Sequence, residues 1–211
     1  MIYEKEFKKY GFDDVVAYSG VDITDQMMDE SFQVSESFFA DEYQIKDSKI
    51  RELVKKTGQI CFVIYDKSVK KVIGYSFWLP IKSKVFIDFL ENKEMLMFIE
   101  EEYCSRFDEP TVNLFQTGEA FVSGYDLDTL HRALEDIIQS KILTLAKKNI
   151  KVEYLAIEAV CKYDTEYLAP LMGLSKKINK GNSMFFLGRY SPKTAFARSA
   201  LSVELMQYYK D

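Results

Sequence analysis

Histidine is almost absent from this chain of 211 residues, since His131 is the only one. A metal site built from several imidazoles is therefore excluded, and a catalytic triad or a cysteine–histidine dyad would have to use His131. The cysteines, Cys61, Cys104 and Cys161, are odd in number and far apart, so they predict no disulfide framework. Cys61 and Cys161 each lie in an apolar run, which predicts buried, unreactive thiols and suits a reducing cytoplasm.

Long apolar runs, a large charge of one sign and flexible linkers are also missing. No run approaches the roughly 18 apolar residues of a membrane helix, and the N-terminal segment lacks the apolar core of a secretion signal. The net charge is only −5, which disfavours a protein that neutralises nucleic-acid phosphates. No segment is rich in proline, glycine or serine. The sequence therefore predicts a cytoplasmic protein without membrane or nucleic-acid partners, and a single domain over residues 1–211.

Apolar residues make up 47% of the chain and aromatic residues 15%, enough for a sizeable core. Apolar spacing and composition predict helices over residues 23–45, 47–56, 83–108, 127–148, 164–172 and from Pro192 onward. Runs of β-branched and aromatic residues predict strands over 60–65, 71–79, 111–122, 152–161, 174–178 and 183–190. We expect Pro80 to end the second strand, Thr24 or Asp25 to cap the first helix and Asp126 to cap the long one.

Two local motifs stand out within this order of elements. Phe62-Val63-Ile64-Tyr65-Asp66 with Val72-Ile73-Gly74-Tyr75 forms a hairpin, and Leu171-Met172-Gly173-Leu174 forms a corner between a helix and a strand. The motifs and the element order resemble the GNAT acyltransferase family. The resemblance implies an α+β fold (a mixed α/β architecture). Its central sheet is splayed to admit acyl-CoA and is flanked by helices. To this fold the chain adds a helical insertion at 83–108 and a C-terminal helix at 192–211.

The resemblance also implies a reaction: transfer of an acetyl group from acetyl-CoA, or of another acyl group from its CoA ester, to a primary amine of a small molecule or peptide, without a metal. Glu119 stands where some members hold a general base, and Glu158 lies in the middle of the next strand. Many family members have a tyrosine that acts as general acid toward the leaving thiolate, four residues before the glycine that corresponds to Gly173. This chain has Ala169 at that position, so the nearby Tyr167 is the candidate acid. Alternatively, Glu119 pairs with a lysine or bonds a neighbouring strand.

The family's phosphate-binding motif, R/Q-x-x-G-x-G/A, is absent. The corresponding stretch keeps only Gly124, and Asp126 and Asp128 would place carboxylates beside the CoA phosphates. As cap and first-turn residues of the following helix, the same aspartates are ordinary. The resemblance still implies CoA contacts from Phe121, Val122, Ser123, Gly124 and Arg132, with the main-chain N–H groups near Phe121 and Val122 polarising the thioester carbonyl.

A non-catalytic GNAT-like protein that binds a ligand or a partner is the alternative function, and both the missing glycines and Ala169 favour it. A third alternative is an unrelated interaction protein whose element order coincides with that of the family. Tyr75 and Trp78 could line an acceptor cleft or pack in the core. The insertion at 83–108 could cover the sheet as a substrate lid or form the surface of a homodimer.

Overall fold

The strands of the chain form one mixed sheet that is flanked by helices. The computed structural model describes residues 2–38, 48–57, 60–90, 101–159, 161–180 and 183–209. The strands are β1 Ile2–Tyr3, β2 Val15–Ser19, β3 Cys61–Asp66, β4 Lys71–Ile81, β5 Thr111–Phe121, β6 Lys151–Ala159, β7 Lys176–Lys180 and β8 Ser183–Arg189. The helices are α1 Lys5–Lys8, α2 Asp25–Phe38, α3 Ser48–Thr57, α4 Ser83–Leu90, α5 Leu127–Lys147, α6 Ala169–Leu171 and α7 Ser202–Leu205, with a π-helical segment, Asp164–Leu168, directly before α6. The strand order is β1-β2-β3-β4-β5-β6-β8-β7.

The chain divides into two compact units. Unit 1 comprises Met1–Trp78 and Thr117–Ile138, and unit 2 comprises Leu79–Gln116 and Gln139–Asp211. The divisions fall inside β4, β5 and α5, which therefore contribute residues to both units. Each unit is described by itself below.

Unit 1 contains the antiparallel part of the sheet. β2 pairs with β3 from Val15 opposite Asp66 to Ser19 opposite Phe62, and β3 pairs with β4. The side chains of residues 61–64 are all fully buried, as expected for a central strand covered on both faces. The sequence patterns did not predict β1 and β2, because such short strands give too few positions for a periodic pattern.

Helices of unit 1 are fastened by polar contacts. Thr24 caps α2 as predicted, since its Oγ1 accepts a backbone N–H three residues later at 3.2 Å. Glu30 on α2 accepts the backbone N–H of Val72 on β4 at 2.9 Å. Lys9, at the end of α1, places Nζ 2.6 Å from Oδ2 of the buried Asp136 on α5. These contacts join helices to the strands and to each other within the unit.

Unit 2 contains the parallel part of the sheet. β5 and β6 pair from Thr111 opposite Lys151 to Gln116 opposite Ile157, and there the parallel pairs end, although β5 runs on to Phe121. β8 pairs antiparallel with β6, and β7 lies at the edge beside β8.

Aromatic rings fix α4 onto the strands of unit 2. The Phe86 ring stacks on Tyr154 of β6, with centroids 5.6 Å apart, and Phe89 meets Phe185 of β8 edge-on at 5.1 Å. The helix predicted over 83–108 is observed as α4 over Ser83–Leu90 and does not extend over the described residues 101–108, where residues 101–103 form a 3-10 turn. The residues between them lie outside the described part.

The prediction that Pro80 ends β4 is wrong, since the strand runs on to Ile81. Proline has no N–H to donate, but its carbonyl still accepts the N–H of Ser105 at 2.8 Å. Ile81 then bridges to Cys104. The strand can continue past Pro80 because the Ser105 N–H needs only a carbonyl acceptor there, which proline still provides.

The predicted C-terminal helix from Pro192 is also wrong, because among residues 192–209 only α7 is helical and turns precede it. Phe196 has a φ of 54°, in the left-handed region that helices exclude. The carbonyls of Ala195 and Phe196 accept Nε2 of Gln139 at 3.0 and 3.2 Å. Those carbonyls are therefore engaged by a side chain, and the amphipathic pattern does not become a helix.

Cys161 departs from the prediction of a buried thiol. β6 spans Lys151–Ala159, and Cys161 lies outside it, exposed, with its Sγ 3.3 Å from Oδ2 of Asp164. Cys61 and Cys104 are buried, and burial raises the pKa of Cys104 to about 11. The predicted burial is thus confirmed for Cys61 and wrong for Cys161.

Candidate functional site

One face of β4 and β5 in unit 1 carries the residues of the candidate site. Side chains two positions apart on a strand share a face. The face is formed by Gly74, Ser76 and Trp78 of β4 and by Glu119 and Phe121 of β5. A Cβ added at Gly74 would overlap the Phe121 ring and lie 2.9 Å from a β5 carbonyl oxygen. Glycine at this position therefore lets the ring lie against β4.

Glu119 is a buried carboxylate on this face, with its side chain only 4% exposed. Ser76 Oγ donates to Glu119 Oε2 at 2.6 Å, and Trp78 Nε1 donates to Ser76 Oγ at 3.1 Å. An indole N–H can only donate, so the Ser76 hydroxyl hydrogen is left to point at the carboxylate. Glu119 thus bonds the neighbouring strand, as one of the sequence alternatives predicts. Trp78, fully buried, belongs to the core.

His131 on α5 faces the same carboxylate. Its Nδ1 lies 3.2 Å from Glu119 Oε1, and its side chain is 5% exposed. The Phe121 ring packs edge-on against the imidazole, with centroids 4.9 Å apart and planes at 71°. Sequence reasoning did not place His131 beside Glu119. The available signal was its position on the apolar side of α5 directly after Leu130, where a buried imidazole needs a polar partner.

At the end of β5, the N–H groups of successive residues point to opposite edges of the strand. Val122 N–H donates to the Ile73 carbonyl at 2.8 Å, so this amide is bonded to β4. The prediction that Val122 N–H polarises a thioester is therefore wrong, because the donor is already used. Neighbouring residues on a strand direct their backbone groups to opposite edges. The Phe121 N–H consequently lies on the edge of β5 that faces away from β4.

Tyr125 ties the loop after β5 to the hairpin of β3 and β4. Its hydroxyl donates to Oδ2 of Asp66 at 2.7 Å. Burial, with the hydrogen bond to Asp66 and the charge of that carboxylate, raises the pKa of Tyr125 to about 12. Burial alone would raise the pKa of Asp66, but hydrogen bonds from Ser68, Tyr125 and the backbone amides of Ser68 and Val69 outweigh it, so that pKa is lowered.

Both aspartates near the start of α5 have partners. Asp126 is the N-cap, since its carboxylate oxygens accept the Thr129 N–H at 3.4 Å and the Thr129 hydroxyl at 2.7 Å. Asp128 pairs with Arg132 along the helix, Oδ2 to Nε at 3.0 Å. The alternative in which these residues serve the helix is thus confirmed. The Arg132 side chain remains 50% exposed.

Ser123 and Gly124 lie exposed between β5 and α5. Gly124 has a φ of 100°, which side chains rarely adopt, and a Cβ there would meet nothing within 4 Å. Exposed backbone beside the N-terminus of a helix is a favourable place for an anion, because the first helical N–H groups carry partial positive charge.

The corner after α6 in unit 2 has the predicted form. Gly173 adopts a φ of 67°, its N–H donates to Pro170 at 3.0 Å, and Leu174 N–H reaches back to the Ala169 carbonyl at 2.9 Å. This pair of bonds ends a helix through a left-handed residue. Ala169 is buried and offers no hydroxyl, so the position that the resemblance reserves for an acid is chemically inert.

Several solved structures are similar to this chain over most of its length. Naa50 of Arabidopsis thaliana, bound to the bisubstrate analogue CoA-Ac-MVNAL, is 9% identical, with 82% of this chain and 97% of the other covered and a TM-score of 0.51. FeeM, an N-acyl amino acid synthase from uncultured soil microbes, is 13% identical, with 92% and 96% covered and a TM-score of 0.53. A putative GNAT acetyltransferase of Desulfovibrio desulfuricans is 15% identical, with 83% and 98% covered and a TM-score of 0.50.

The chain has the GNAT acyltransferase fold. No protein-family model and no curated protein matches its sequence. At these identities the likeness confirms the predicted fold, a mixed sheet flanked by helices, and leaves the activity to be argued from the residues.

Within this GNAT fold the residues with predicted roles fall in different units. Glu119 and the CoA-contacting candidates from Phe121 to Arg132 lie in unit 1, whereas Glu158 and Tyr167 lie in unit 2. Glu158 is partly exposed on β6, and the Tyr167 ring stacks on Tyr163 with centroids 5.1 Å apart. The structure brings Glu119 together with Ser76, Trp78 and His131, which sequence reasoning did not assemble.

The described ranges contain neither a metal-binding cluster nor a membrane-spanning helix. Across the described ranges, no group of three or more histidine, cysteine, aspartate or glutamate side chains could hold a metal ion. The helices in those ranges are all too short or too polar to cross a bilayer.

Proposed function

We propose that the protein is an acyl-CoA-dependent N-acyltransferase acting on a primary amine of a small molecule or a peptide. The observation that carries the proposal is Glu119, a buried carboxylate on β5 of a GNAT fold, bonded by Ser76 and faced by His131. Among the similar structures, Naa50 was solved with a CoA-acetyl-peptide analogue, and FeeM is an N-acyl amino acid synthase. The ligand of Naa50 and the activity of FeeM support acyl transfer to an amine as the reaction class.

The proposed chemistry is direct attack on the thioester. The amine nitrogen bonds the thioester carbonyl carbon, the carbon–sulfur bond breaks, and CoA leaves as the thiolate. The amine proton passes to Glu119, directly or through water, which makes Glu119 the general base. The Phe121 N–H, on the edge of β5 that faces away from β4, is the proposed donor to the developing oxyanion.

The residues after β5 fit a CoA pyrophosphate in part. The exposed backbone of Ser123 and Gly124 and the guanidinium of Arg132 favour an anion. Asp126 and Asp128 oppose it, since one like-charge contact at about 5 Å and an effective dielectric of about 20 costs on the order of 3 kcal/mol before screening. We therefore propose that CoA is held mainly through its pantetheine arm along β5, with weak help from this loop.

Residues of unit 2 complete the proposal on sequence grounds. Tyr167 is the proposed proton donor to the leaving thiolate, and Glu158 is a second carboxylate available as base. The proposed reaction needs no metal. The three cysteines, which predict no disulfide framework, suit a cytoplasmic enzyme.

A transfer assay with an amine panel tests the function. The wild-type protein should consume acetyl-CoA, followed by the loss of thioester absorbance, only when an acceptor amine is present. Glu119→Gln, which keeps the shape of the side chain, should lower kcat/KM by roughly 100-fold to 10,000-fold. The matched control Glu166→Gln changes an exposed glutamate of the π-helical segment and should leave the rate unchanged.

Absence of turnover with every CoA ester and amine tested would remove the enzymatic proposal. Turnover that survives Glu119→Gln would move the base to another residue, and Glu158→Gln then identifies or excludes the second carboxylate.

Non-catalytic ligand binding is the second candidate function. Two observations favour it: Asp126 uses its carboxylate to cap α5 where the phosphates would lie, and Ala169 is inert where an acid would stand. Saturable binding of acyl-CoA without turnover of any amine is the result that this candidate predicts.

A further inference from the structure

The only histidine of the chain lies against the carboxylate that the proposed function makes the base. Glu119 Oε1 lies 3.2 Å from His131 Nδ1, and both side chains are at most 5% exposed. At this distance and burial, the protonation states of the two groups depend on each other. Because the chain has no other histidine, the state of this imidazole can be observed without ambiguity.

The hydrogen bonds on the other carboxylate oxygen identify which oxygen faces the imidazole. Trp78 Nε1 donates to Ser76 Oγ, and Ser76 in turn donates to Glu119 Oε2. This chain of donors runs in one direction because the indole nitrogen cannot accept. Oε2 is therefore an acceptor, and Oε1 is the oxygen that lies next to the imidazole, 3.2 Å from Nδ1.

We propose that His131 is a positioning residue whose imidazole is electrostatically coupled to Glu119 through the approach of Nδ1 to Oε1, and so sets the pH range in which Glu119 is available as a base. The inference rests on the proposed function for its catalytic part. When the amine attacks, the carbon–nitrogen bond forms, the carbon–sulfur bond breaks and CoA leaves as thiolate, while the amine proton moves to the Glu119 carboxylate, whose basicity the neighbouring imidazole adjusts.

Packing holds the imidazole in place for this role. The Phe121 ring lies edge-on to it at 4.9 Å, and that ring is accommodated because position 74 is glycine. A ring fixed by an aromatic neighbour has little rotational freedom, so Nδ1 stays close to the carboxylate. The geometry is thus set by β4 and β5 as well as by α5.

Within the described ranges, the charged side chains placed around His131 on α5 and β5 are Glu135, Asp128, Arg132 and Glu119. On α5, Glu135 is buried one turn later, and Asp128 is paired with Arg132 one turn earlier. From β5, Glu119 is the ionisable side chain that meets the imidazole. β4 contributes Ser76 and Trp78 to the network, neither of which titrates in the ordinary range.

Nuclear magnetic resonance tests the pair without using activity. The ring C–H signals of the single histidine, followed through a pH titration, give the midpoint of His131. A carboxylate within hydrogen-bonding distance favours the charged imidazole, so the midpoint in wild-type protein should lie higher than in Glu119→Gln by about one pH unit or more. If Glu119→Gln does not fold, Glu119→Asp, which draws the carboxylate away from Nδ1, should give a shift of the same sign.

The matched control is Glu135→Gln, which removes the other buried glutamate near His131. It should move the midpoint by clearly less than Glu119→Gln does. Equal midpoints in the wild type and Glu119→Gln would overturn the proposal, and so would an equal shift from Glu135→Gln.

The pH profile of kcat/KM tests the catalytic part. In the wild type its acid limb should follow the His131 midpoint seen by resonance, and in His131→Gln it should move to lower pH by about one unit or more, because the remaining carboxylate titrates alone. A profile unchanged in His131→Gln would overturn the positioning role. A shifted resonance midpoint together with no acyl transfer would refute the proposed function while leaving the coupled pair of His131 and Glu119 in place.

Discussion

Asp66 ends β3 as a buried carboxylate surrounded by donors. The Ser68 N–H and hydroxyl lie 2.8 and 2.6 Å from Oδ1, and the Tyr125 hydroxyl lies 2.7 Å from Oδ2. Hydrogen bonds to the charged form explain why the pKa of Asp66 is lowered although the residue is buried. The same contacts hold the β3–β4 hairpin and the loop before α5 together.

The stability of the protein should depend on the ionisation of Asp66. Its pKa is lower in the folded than in the unfolded chain, so its contribution is present above about pH 4 and is lost as the pH falls through the folded value. We expect Asp66→Asn to lower the free energy of unfolding by about 1–3 kcal/mol at neutral pH and by less at about pH 3. Urea unfolding at both values measures this, and a cost that is the same at both would contradict the assignment.

Gly74 is required by its neighbour across the strands. Gly74→Ala places a Cβ into the Phe121 ring and close to a β5 carbonyl, so we expect a loss of about 1–3 kcal/mol and a displaced ring. The His131 resonances should move as well, because that ring packs on the imidazole. In the double variant with Phe121→Leu, part of the stability should return. Strictly additive costs would show that the two positions do not interact.

Among the elements, α5 matters both for the stability of the fold and for the candidate phosphate site, because both depend on its first turn. Its first turn is capped by Asp126, whose carboxylate lies where a CoA pyrophosphate would gain from the same N–H groups. The residue therefore serves the helix and opposes the anion at once.

Substitutions at Asp126 separate these effects. Asp126→Ala removes the cap and should cost about 1 kcal/mol of stability, whereas Asp126→Asn keeps a capping oxygen and should cost little. If CoA phosphates lie near the start of α5, Asp126→Asn should strengthen CoA binding several-fold, because one like charge is removed. Calorimetry of the wild type and both variants checks this, and equal CoA affinity in the wild type and Asp126→Asn would place the phosphates elsewhere.

Local patterns predicted elements well where they were long and regular. The leucine and isoleucine spacing of α5 located that helix within one residue of its observed end. The same kind of pattern failed after Pro192, because the Gln139 side chain takes the carbonyls of Ala195 and Phe196. A competing long-range hydrogen bond is not visible in local periodicity.

For the whole molecule, element order was sufficient to predict the mixed sheet of the GNAT fold. The site was predicted only in part. Glu119 was identified from its place on the strand, but its contacts with Ser76 and His131 depend on the register between β4 and β5 and on how α5 crosses them. Register and helix placement arise from packing across distant segments, which a single sequence does not specify.

The central claim is that this fold still takes an acyl-CoA although the glycine-rich phosphate motif is absent. Calorimetric titration of the purified protein with acetyl-CoA and with longer acyl-CoA esters tests it most directly. The account predicts saturable heat for at least one ester, with a Kd between roughly 1 μM and 1 mM. Absence of saturable heat for every ester up to about 1 mM would contradict it.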